Sequence, residues 1–341
     1  MKEGTAVDDD ARLRTTSVYL VQKVIPMLPR LLCENLCSLN PSVERLTFSI
    51  FFWVKEDGTL VDTQPPRITK SIIKTCAKLN YDIVQDLIDG KITSAKDLPI
   101  TYLPEGIDPE QVVRDTLKMN EIGQNIRRKR FANGSISFER EKKRFALDEA
   151  SYPISYKADK RKESNFMVEE YMLLANQKVG KFIVDTCQEI GLLRCHPPPG
   201  NVKVNAFEML LDKLNLKMKF TSSKDIQESS AAIFNDPTIP DSYKAVVRYR
   251  MCKVLEAAKY FVVEKIPASE WKHFALSFDI YTHFTSPIRR YPDVLVHRLL
   301  EKCLIYKQDV KKYVNKVFLS DLFVDSKPAS IVSYAGDHGQ M

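Results

Sequence analysis

The strongest constraint on the fold of this 341-residue chain is a β-rich stretch followed by segments with helical periodicity. Residues 46–54 are β-branched and aromatic (Leu-Thr-Phe-Ser-Ile-Phe-Phe-Trp-Val), Glu56-Asp57-Gly58 supplies a turn, and 68–79 is predicted to return as a second strand. Helices are predicted at 11–37, with a break at Pro26 and Pro29 before Leu31–Leu36, and at 82–88, 109–131, 165–190, 205–214, 242–260 and 287–304. The pattern indicates an α+β fold with an early antiparallel sheet surrounded by helices.

Composition excludes several classes of protein. Hydrophobic residues make up 44% of the chain and charged residues 28%, the balance of a folded globular protein. No stretch approaches the ~20 apolar residues of a membrane span, and the first ten residues lack the apolar region of a secretory signal. Of seven scattered cysteines, only Cys33 and Cys37 are close, without a second zinc-ligand pair nearby. We expect reduced thiols, a cytoplasmic location and no membrane partner.

Residues 127–144 carry eight basic and two acidic side chains, a charge that attracts polyanions. A solvated helix end followed by a charged hairpin explains the same composition. Asn133-Gly134 is predicted to form a turn, and 136–138 to pair with 144–147. Phe145 directly follows three basic residues, and a ring beside a cation is a typical way to hold single-stranded nucleic acid. Both interpretations stay open on the residues alone.

The segment Tyr281-Thr-His-Phe-Thr-Ser-Pro-Ile-Arg-Arg-Tyr291 predicts a helix that begins with Ser286 as N-cap and Pro287 at the first position. Arg289 and Arg290 would then lie in the first turn, where the helix dipole disfavours cations unless an anion such as phosphate lies among them. The alternative is that they pair with acidic side chains such as Asp293. The flanking aromatic side chains are more often core residues than base-stacking surfaces.

Glu169 and Glu170 begin the apolar part of the predicted helix 165–190. One of the two must point inward or toward a cleft, where a carboxylate can accept a hydrogen bond from a ribose hydroxyl. The alternative is an exposed glutamate in the first turn, which the helix dipole favours.

Taken together, six ordered segments resemble the catalytic (RNB) domain of the ribonuclease II family, which degrades RNA from the 3′ end. The likeness is greatest to the eukaryotic cytoplasmic branch that acts without the exosome and prefers uridylated RNA. The segments are 16–33, 37–41, 78–81, 168–176, 194–199 and 281–300. The resemblance covers about residues 3–305 and implies a single, incomplete RNB domain without cold-shock or S1 domains. Residues 306–341 diverge, and we expect a loosely ordered tail.

The resemblance also implies roles for individual residues. Tyr81 and Phe145 resemble the aromatic pair that brackets bases near the RNA 3′ end. The pair Glu169-Glu170 contains the residue that resembles the family's ribose contact. Arg289 resembles the catalytic arginine that holds the scissile phosphate, with Arg290 as its neighbour on the RNA backbone. The implied partner is single-stranded RNA with a uridine-rich 3′ end, not DNA.

Hydrolysis in this family uses two Mg²⁺ ions held by clustered aspartates. That cluster lies upstream of the segment that this chain's beginning resembles, so we expect the Mg²⁺ ligands to be missing. Asp8-Asp9-Asp10 is rejected as a substitute because adjacent helical residues point in different directions. Three hypotheses follow: an exoribonuclease represented by a truncated gene product, a short protein that binds RNA 3′ ends without cutting, or a helical interaction protein without RNA function.

Overall fold

Eight α-helices and eight short strands form the part of the chain that this computed structural model describes, residues 1–99, 103–137, 142–187 and 190–305. The helices are α1 (Ala6–Arg14), α2 (Tyr81–Ile88), α3 (Pro109–Ala132), α4 (Glu163–Thr186), α5 (Asn201–Lys213), α6 (Ser223–Asn235), α7 (Asp241–Val254) and α8 (Tyr291–Ile305). The strands are β1 (Val18–Tyr19), β2 (Val24–Ile25), β3 (Glu44–Phe51), β4 (Arg67–Lys74), β5 (Lys142–Leu147), β6 (Pro153–Asp159), β7 (Leu192–Cys195) and β8 (Lys259–Val262).

The strands of the described residues pair two by two into four antiparallel sheets, β1-β2, β3-β4, β5-β6 and β7-β8. The predicted early hairpin is β3-β4, in which Glu44 lies opposite Lys74 and Phe51 opposite Arg67. Gly58 takes a φ of +80°, which the predicted Glu56-Asp57-Gly58 turn requires and which glycine adopts without a steric penalty. The predicted mixture of helices and an early antiparallel sheet is confirmed, and the sheets are small.

The chain divides into two compact units. Unit 1 comprises Met1–Arg127, Glu141–Ala175 and Phe284–His297, and unit 2 comprises Arg128–Arg140, Asn176–His283 and the described residues from Arg298 onward. The larger core of unit 2 consists of buried apolar side chains, among them Phe207, Leu211, Ile226, Val247 and Met251. Unit 1 buries Ala11, Met27, Leu28, Tyr291 and Val294 together. Each large buried side chain contributes about 1.5–3 kcal/mol. None of the described helices has the length and hydropathy to cross a membrane.

The prediction of a helix over 11–37 is wrong for residues 15–29. Helix α1 ends at Arg14, and Thr15 follows with a φ of +58°, so the chain turns away from the helical path. Strands β1 and β2 then form a hairpin in which the Leu20 N–H donates to the Lys23 carbonyl over 2.9 Å. Only Leu31–Leu36 returns to a helical form, as a π-helix. The apolar spacing fits a helix, but Val18, Val24 and Ile25 are β-branched, and such residues are equally favourable in the strands of a short hairpin.

The predicted pairing of 136–138 with 144–147 is also wrong. Strand β5 pairs with β6, with Phe145 opposite Tyr156. The Ile136 N–H donates instead to the Ala275 carbonyl over 2.8 Å. The Asn133-Gly134 turn is confirmed, with Gly134 at a φ of +92°. Phe138, Glu139, Arg140, Glu141 and the tail 306–341, which entered the predictions, lie outside the described residues.

One predicted helix is too long, and one helix was not predicted. Helix α7 ends at Val254 rather than 260, and Lys259–Val262 forms β8 against β7. Helix α6 was not predicted, although Ser222 is its N-cap and accepts a hydrogen bond from the Asp225 N–H. Ser222 was the sequence signal that would have located its start.

Candidate functional site

Arg289 lies on a turn that backbone hydrogen bonds hold in place. Its carbonyl accepts hydrogen bonds from the Ser17 N–H over 3.1 Å and from the Thr16 hydroxyl over 2.9 Å. The Tyr291 N–H donates to the Thr15 carbonyl over 2.8 Å. The Arg289 side chain is exposed, and its guanidinium donates to the Ser286 hydroxyl over 3.2 Å. A fixed backbone therefore presents an exposed guanidinium.

The predicted start of the last helix is wrong, because α8 begins at Tyr291 rather than at Pro287. Arg289 and Arg290 thus precede the helix, and the argument from cations in its first turn does not apply. The carboxylate of Asp293 sets this geometry. It accepts the Ser286 N–H over 2.7 Å and two hydrogen bonds of 2.8 Å from Arg290, and Asp293 is fully buried. The alternative of pairing with Asp293 is correct for Arg290, whereas the Arg289 side chain contacts Ser286.

Asp8, which comes first in the rejected acidic run, is buried and engaged by its own chain. One carboxylate oxygen accepts the Tyr291 hydroxyl over 3.0 Å, and the other accepts the Gly4 N–H over 3.0 Å. Asp10 forms an exposed ion pair with Arg14. The neighbouring carboxylates thus face different partners, as the helical spacing predicts. Asp8 joins α1 to the beginning of α8.

Tyr81 begins α2 and is 48% exposed. The side chain of Asn80 caps the helix by accepting the Ile83 N–H over 2.8 Å. The Tyr81 carbonyl accepts the Ser164 hydroxyl over 2.9 Å, so the start of α4 holds the backbone and leaves the ring exposed. Next to it, a hydrogen bond from Lys162 lowers the pKa of the exposed Asp82 carboxyl, with a smaller contribution from the charge of Arg144. Arg144 directly precedes Phe145 in β5, so this charge interaction is one between β5 and the start of α2.

The β5-β6 hairpin carries aromatic and basic side chains together. The rings of Phe145 and Tyr156 lie with their centroids 6.1 Å apart, and the Lys143 ammonium lies 4.6 Å from the centre of the Tyr156 ring. Phe145 is half-buried, whereas Tyr156 is 59% exposed. Tyr152 and Ile154 on the same hairpin are also largely exposed. An exposed ring beside a cation can stack on a nucleobase while the cation attracts phosphate.

The two adjacent glutamates of α4 have different surroundings. Glu170 is buried, 1% exposed. Glu169 keeps 29% of its side chain exposed and pairs with Arg161. The prediction that one of the two points inward is confirmed for Glu170. Glu169 is only partly exposed and lies in the second turn of α4, so the alternative of an exposed glutamate in the first turn does not describe it.

Two guanidinium groups lie close to one aromatic ring at the start of α4. Arg127 approaches the ring of Phe166 at 3.6 Å from its centroid, and Arg161 approaches the same ring at 4.6 Å. Glu163 lies 3.7 Å from Arg127, and Phe166 is 8% exposed. Arg127, at the start of the basic run, is therefore used for packing and ion pairing and is not solvated as the helix-end alternative expects.

All six predicted site residues belong to unit 1: Tyr81, Phe145, Glu169, Glu170, Arg289 and Arg290. Sequence reasoning missed Tyr156, Arg161 and Lys162. The alternation of Ile154 and Tyr156 with polar neighbours is the signal that would have identified β6 and its exposed ring. Asp82 and Lys162 gave no such signal, because their pairing depends on how α2 and α4 pack.

The Mg²⁺ ions that the resemblance implies find no fitting ligands among the described residues. Within residues 1–99, 103–137, 142–187 and 190–305, no three His, Cys, Asp or Glu side chains are grouped so that they could hold a metal ion. The buried carboxylates of Asp8 and Asp293 each accept two or more hydrogen bonds from their own chain. No hydrolytic step can therefore be derived from these residues.

The chain is similar to known proteins of one family. The RNB domain family matches residues 1–306. Two Arabidopsis thaliana proteins, one named "Inactive exonuclease DIS3L2" and the other "DIS3-like exonuclease 2", are each 39% identical over 302 residues. The matches cover 88% of this chain and 28% of each relative. The chain thus spans less than a third of the length of these relatives.

The fold is also similar to a solved structure, Mycoplasma genitalium RNase R in complex with ribose-methylated single-stranded RNA. The TM-score is 0.79 at 23% sequence identity, and the match covers 99% of this chain and 48% of that protein. At this identity the likeness shows the fold alone. The family match and the curated relatives confirm the resemblance predicted from the six motif segments. The chain belongs to the RNB domain family.

Proposed function

We propose that this chain binds the 3′ ends of single-stranded RNA on unit 1 and does not cleave them by itself. The observation that supports this most is the β5-β6 hairpin, where Phe145, Tyr156 and Lys143 combine exposed aromatic surface with positive charge. Single-stranded nucleic acids are held by such combinations, since bases stack on rings and cations follow the backbone. Tyr81 adds a second exposed ring in the same unit.

Arg289 and Arg290 have different roles in this proposal. Arg289 is exposed on a fixed turn and is suited to a phosphate, because a guanidinium offers paired donors to two oxygens. Arg290 supports the turn through buried Asp293. We assign the contact to a ribose hydroxyl to the Glu169-Glu170 pair, of which Glu169 keeps exposed surface. That contact favours RNA over DNA.

The proposal includes the absence of cleavage because the aspartates considered as metal ligands are bound to other residues of the same chain. Asp8 binds Tyr291, Asp10 binds Arg14, and Asp293 binds Arg290. Two relatives of equal identity carry the names of an exonuclease and of an inactive exonuclease. Similarity alone therefore does not decide activity. Hydrolysis is the second candidate function, favoured by the relatives named as exonucleases.

The test is to incubate the purified chain with 3′-labelled uridine-rich single-stranded RNA and Mg²⁺, measuring retention and released nucleotides together. We expect retention without mononucleotide release, and weaker retention of DNA with the same base order and of adenosine-rich RNA. Release of mononucleotides would establish hydrolysis and contradict the proposal. Neither retention nor release would support the helical interaction protein instead.

Arg289→Ala is expected to weaken RNA retention about tenfold, because one charge-assisted contact to phosphate is lost. The plot of log affinity against log salt should also become less steep by about 0.7, the contribution of one phosphate contact in a single strand. Fluorescence anisotropy over a salt series measures both quantities. Arg12→Ala, at an exposed arginine of α1 in the same unit, is the matched control and should change neither. An unchanged slope for Arg289→Ala would remove its phosphate role.

A further inference from the structure

Two buried cysteines far apart in the chain lie in contact in unit 2. The sulfur atoms of Cys187 and Cys303 are 2.9 Å apart, and the residues are 5% and 0% exposed. Cys187 directly follows α4, and Cys303 lies in the last turn of α8. A disulfide has its sulfurs about 2.05 Å apart, so bond formation requires an approach of less than about 1 Å.

The two thiols are also chemically unequal. The hydrogen bond with Cys303 lowers the pKa of Cys187, although burial acts in the opposite direction. The pKa of Cys303 is raised, first by the same hydrogen bond and then by burial. Cys187 is thus the thiol that ionises more readily, and the thiolate is the nucleophilic form of cysteine. Cys303 is placed to act as the resolving thiol.

We propose that Cys187 and Cys303 form a redox modification site that closes to an intramolecular disulfide in the presence of a peroxide. The Cys187 thiolate attacks one oxygen of hydrogen peroxide, the O–O bond breaks, and the products are a sulfenic acid and, after protonation, water. The Cys303 sulfur then attacks the Cys187 sulfur, and the hydroxyl group leaves with the Cys303 proton as a second water. Two thiols and one peroxide give one disulfide and two waters. A dithiol reductant reverses the change.

The short distance between the two sulfurs favours this pair over Cys195, which is also buried, at 7% exposed. Hydrogen peroxide is small enough to reach a site where Cys187 is 5% exposed, whereas larger thiol reagents are hindered. Once the sulfenic acid forms, the adjacent Cys303 sulfur reacts before a second oxidant molecule arrives. Cys37 and Cys76 are exposed and are suited to links between molecules. Cys252 is partly buried in the same unit and provides a matched control.

The experiment treats the purified chain with hydrogen peroxide, blocks the remaining thiols with N-ethylmaleimide under denaturing conditions, and maps tryptic peptides of the monomer. Trypsin releases Cys187 in the peptide 182–194 and Cys303 in the peptide 303–307. We expect these two peptides to be linked and to separate after dithiothreitol. We also expect the midpoint of thermal unfolding to rise by about 5 °C on oxidation, because the link constrains a long loop in the unfolded chain.

Cys303→Ser should remove the linked peptide and the thermal shift, whereas Cys252→Ser should keep both. Peptide mapping of the unmodified sequence tests the proposal even where a serine variant does not fold. Blocked Cys187 and Cys303 after peroxide, sulfinic acid at Cys187 without a link, or a link from Cys187 to another cysteine would each overturn it.

Discussion

Asp293→Ala is expected to destabilise the protein by about 3–5 kcal/mol. The Asp293 side chain is fully buried and accepts two hydrogen bonds from Arg290 and one from the Ser286 N–H. Its removal takes the carboxylate from Arg290, whose side chain is only 21% exposed, and leaves the Ser286 N–H without this acceptor. Removing one partner of a buried ion pair has an effect of this size because the other charge stays desolvated. Urea unfolding followed by circular dichroism measures the change.

The matched control is Asp10→Ala. Asp10 also pairs with an arginine in unit 1, but both side chains of that pair are nearly half exposed. Exposed pairs at helical spacing contribute less than about 1 kcal/mol, so a small change is expected. Asp293→Asn, which keeps the shape and one carbonyl acceptor but loses the charge, should fall between the two. Equal destabilisation by Asp10→Ala and Asp293→Ala would show that the buried pair is not a main support of this turn.

The contacts of Asp293 show why the sequence predicted some features of this turn and not others. The sequence, through the six segments of the resemblance, was sufficient to identify the family and to name Asp293 as an alternative partner of the two arginines. It was not sufficient to locate the helix start, because Ser286 and Pro287 have the local preferences of a helix beginning. The side chain of Asp293 and the backbone of Thr15–Ser17 outweigh those preferences. Tertiary hydrogen bonds of this kind leave no local pattern.

The same distinction holds across the fold. Helices α3 and α4 are 24 residues each and were predicted nearly to their ends, because long periodic segments bury one continuous face. The hairpin of β1 and β2 was missed, since strands of two residues are too short to show alternation. The pairing of β5 was assigned to the wrong neighbour because the Ile136 and Ser137 N–H groups donate to Ala275 and Gln227, distant in sequence. Short elements are determined by their partners.

For the candidate site, residue types could be predicted but not their individual roles. The sequence named the pair Glu169-Glu170, and burial separates its two members. It named the basic run, and the contacts of Arg127 with Phe166 and Glu163 assign that arginine to packing and ion pairing. It could not find Tyr156, whose position opposite Phe145 depends on strand register. Strand register and burial are properties of the folded chain. The sequence therefore predicted the family but not the roles of individual site residues.

The double substitution Tyr81→Ala with Phe145→Ala is expected to weaken binding of uridine-rich single-stranded RNA about a hundredfold. Each ring that stacks on a base contributes about 1–3 kcal/mol, so each single substitution should weaken binding about tenfold. Effects at independent sites are approximately additive. Tyr81 is 48% exposed, and the Ser164 hydroxyl contacts its backbone carbonyl, so truncation of the ring leaves that contact intact. Fluorescence anisotropy at fixed salt gives the affinities.

Two comparisons separate base stacking from a general loss of structure. Tyr81→Phe and Phe145→Tyr should retain most of the affinity, because each keeps a ring that can stack. Phe145→Leu keeps apolar volume without an aromatic face and should bind as weakly as Phe145→Ala. Tyr249→Ala, at an exposed ring on α7, is the control for loss of surface aromatic area and should bind normally.

The salt dependence then distinguishes the rings from Arg289. Stacking releases no counterions, so the double variant should bind more weakly at every salt concentration with an unchanged slope. Arg289→Ala should change the slope as well as the affinity. If Phe145→Leu bound RNA as tightly as the original chain, or if the double variant changed the slope instead of the affinity, the two rings would not be base-stacking residues. RNA binding by unit 1 would then have to depend on its cations alone.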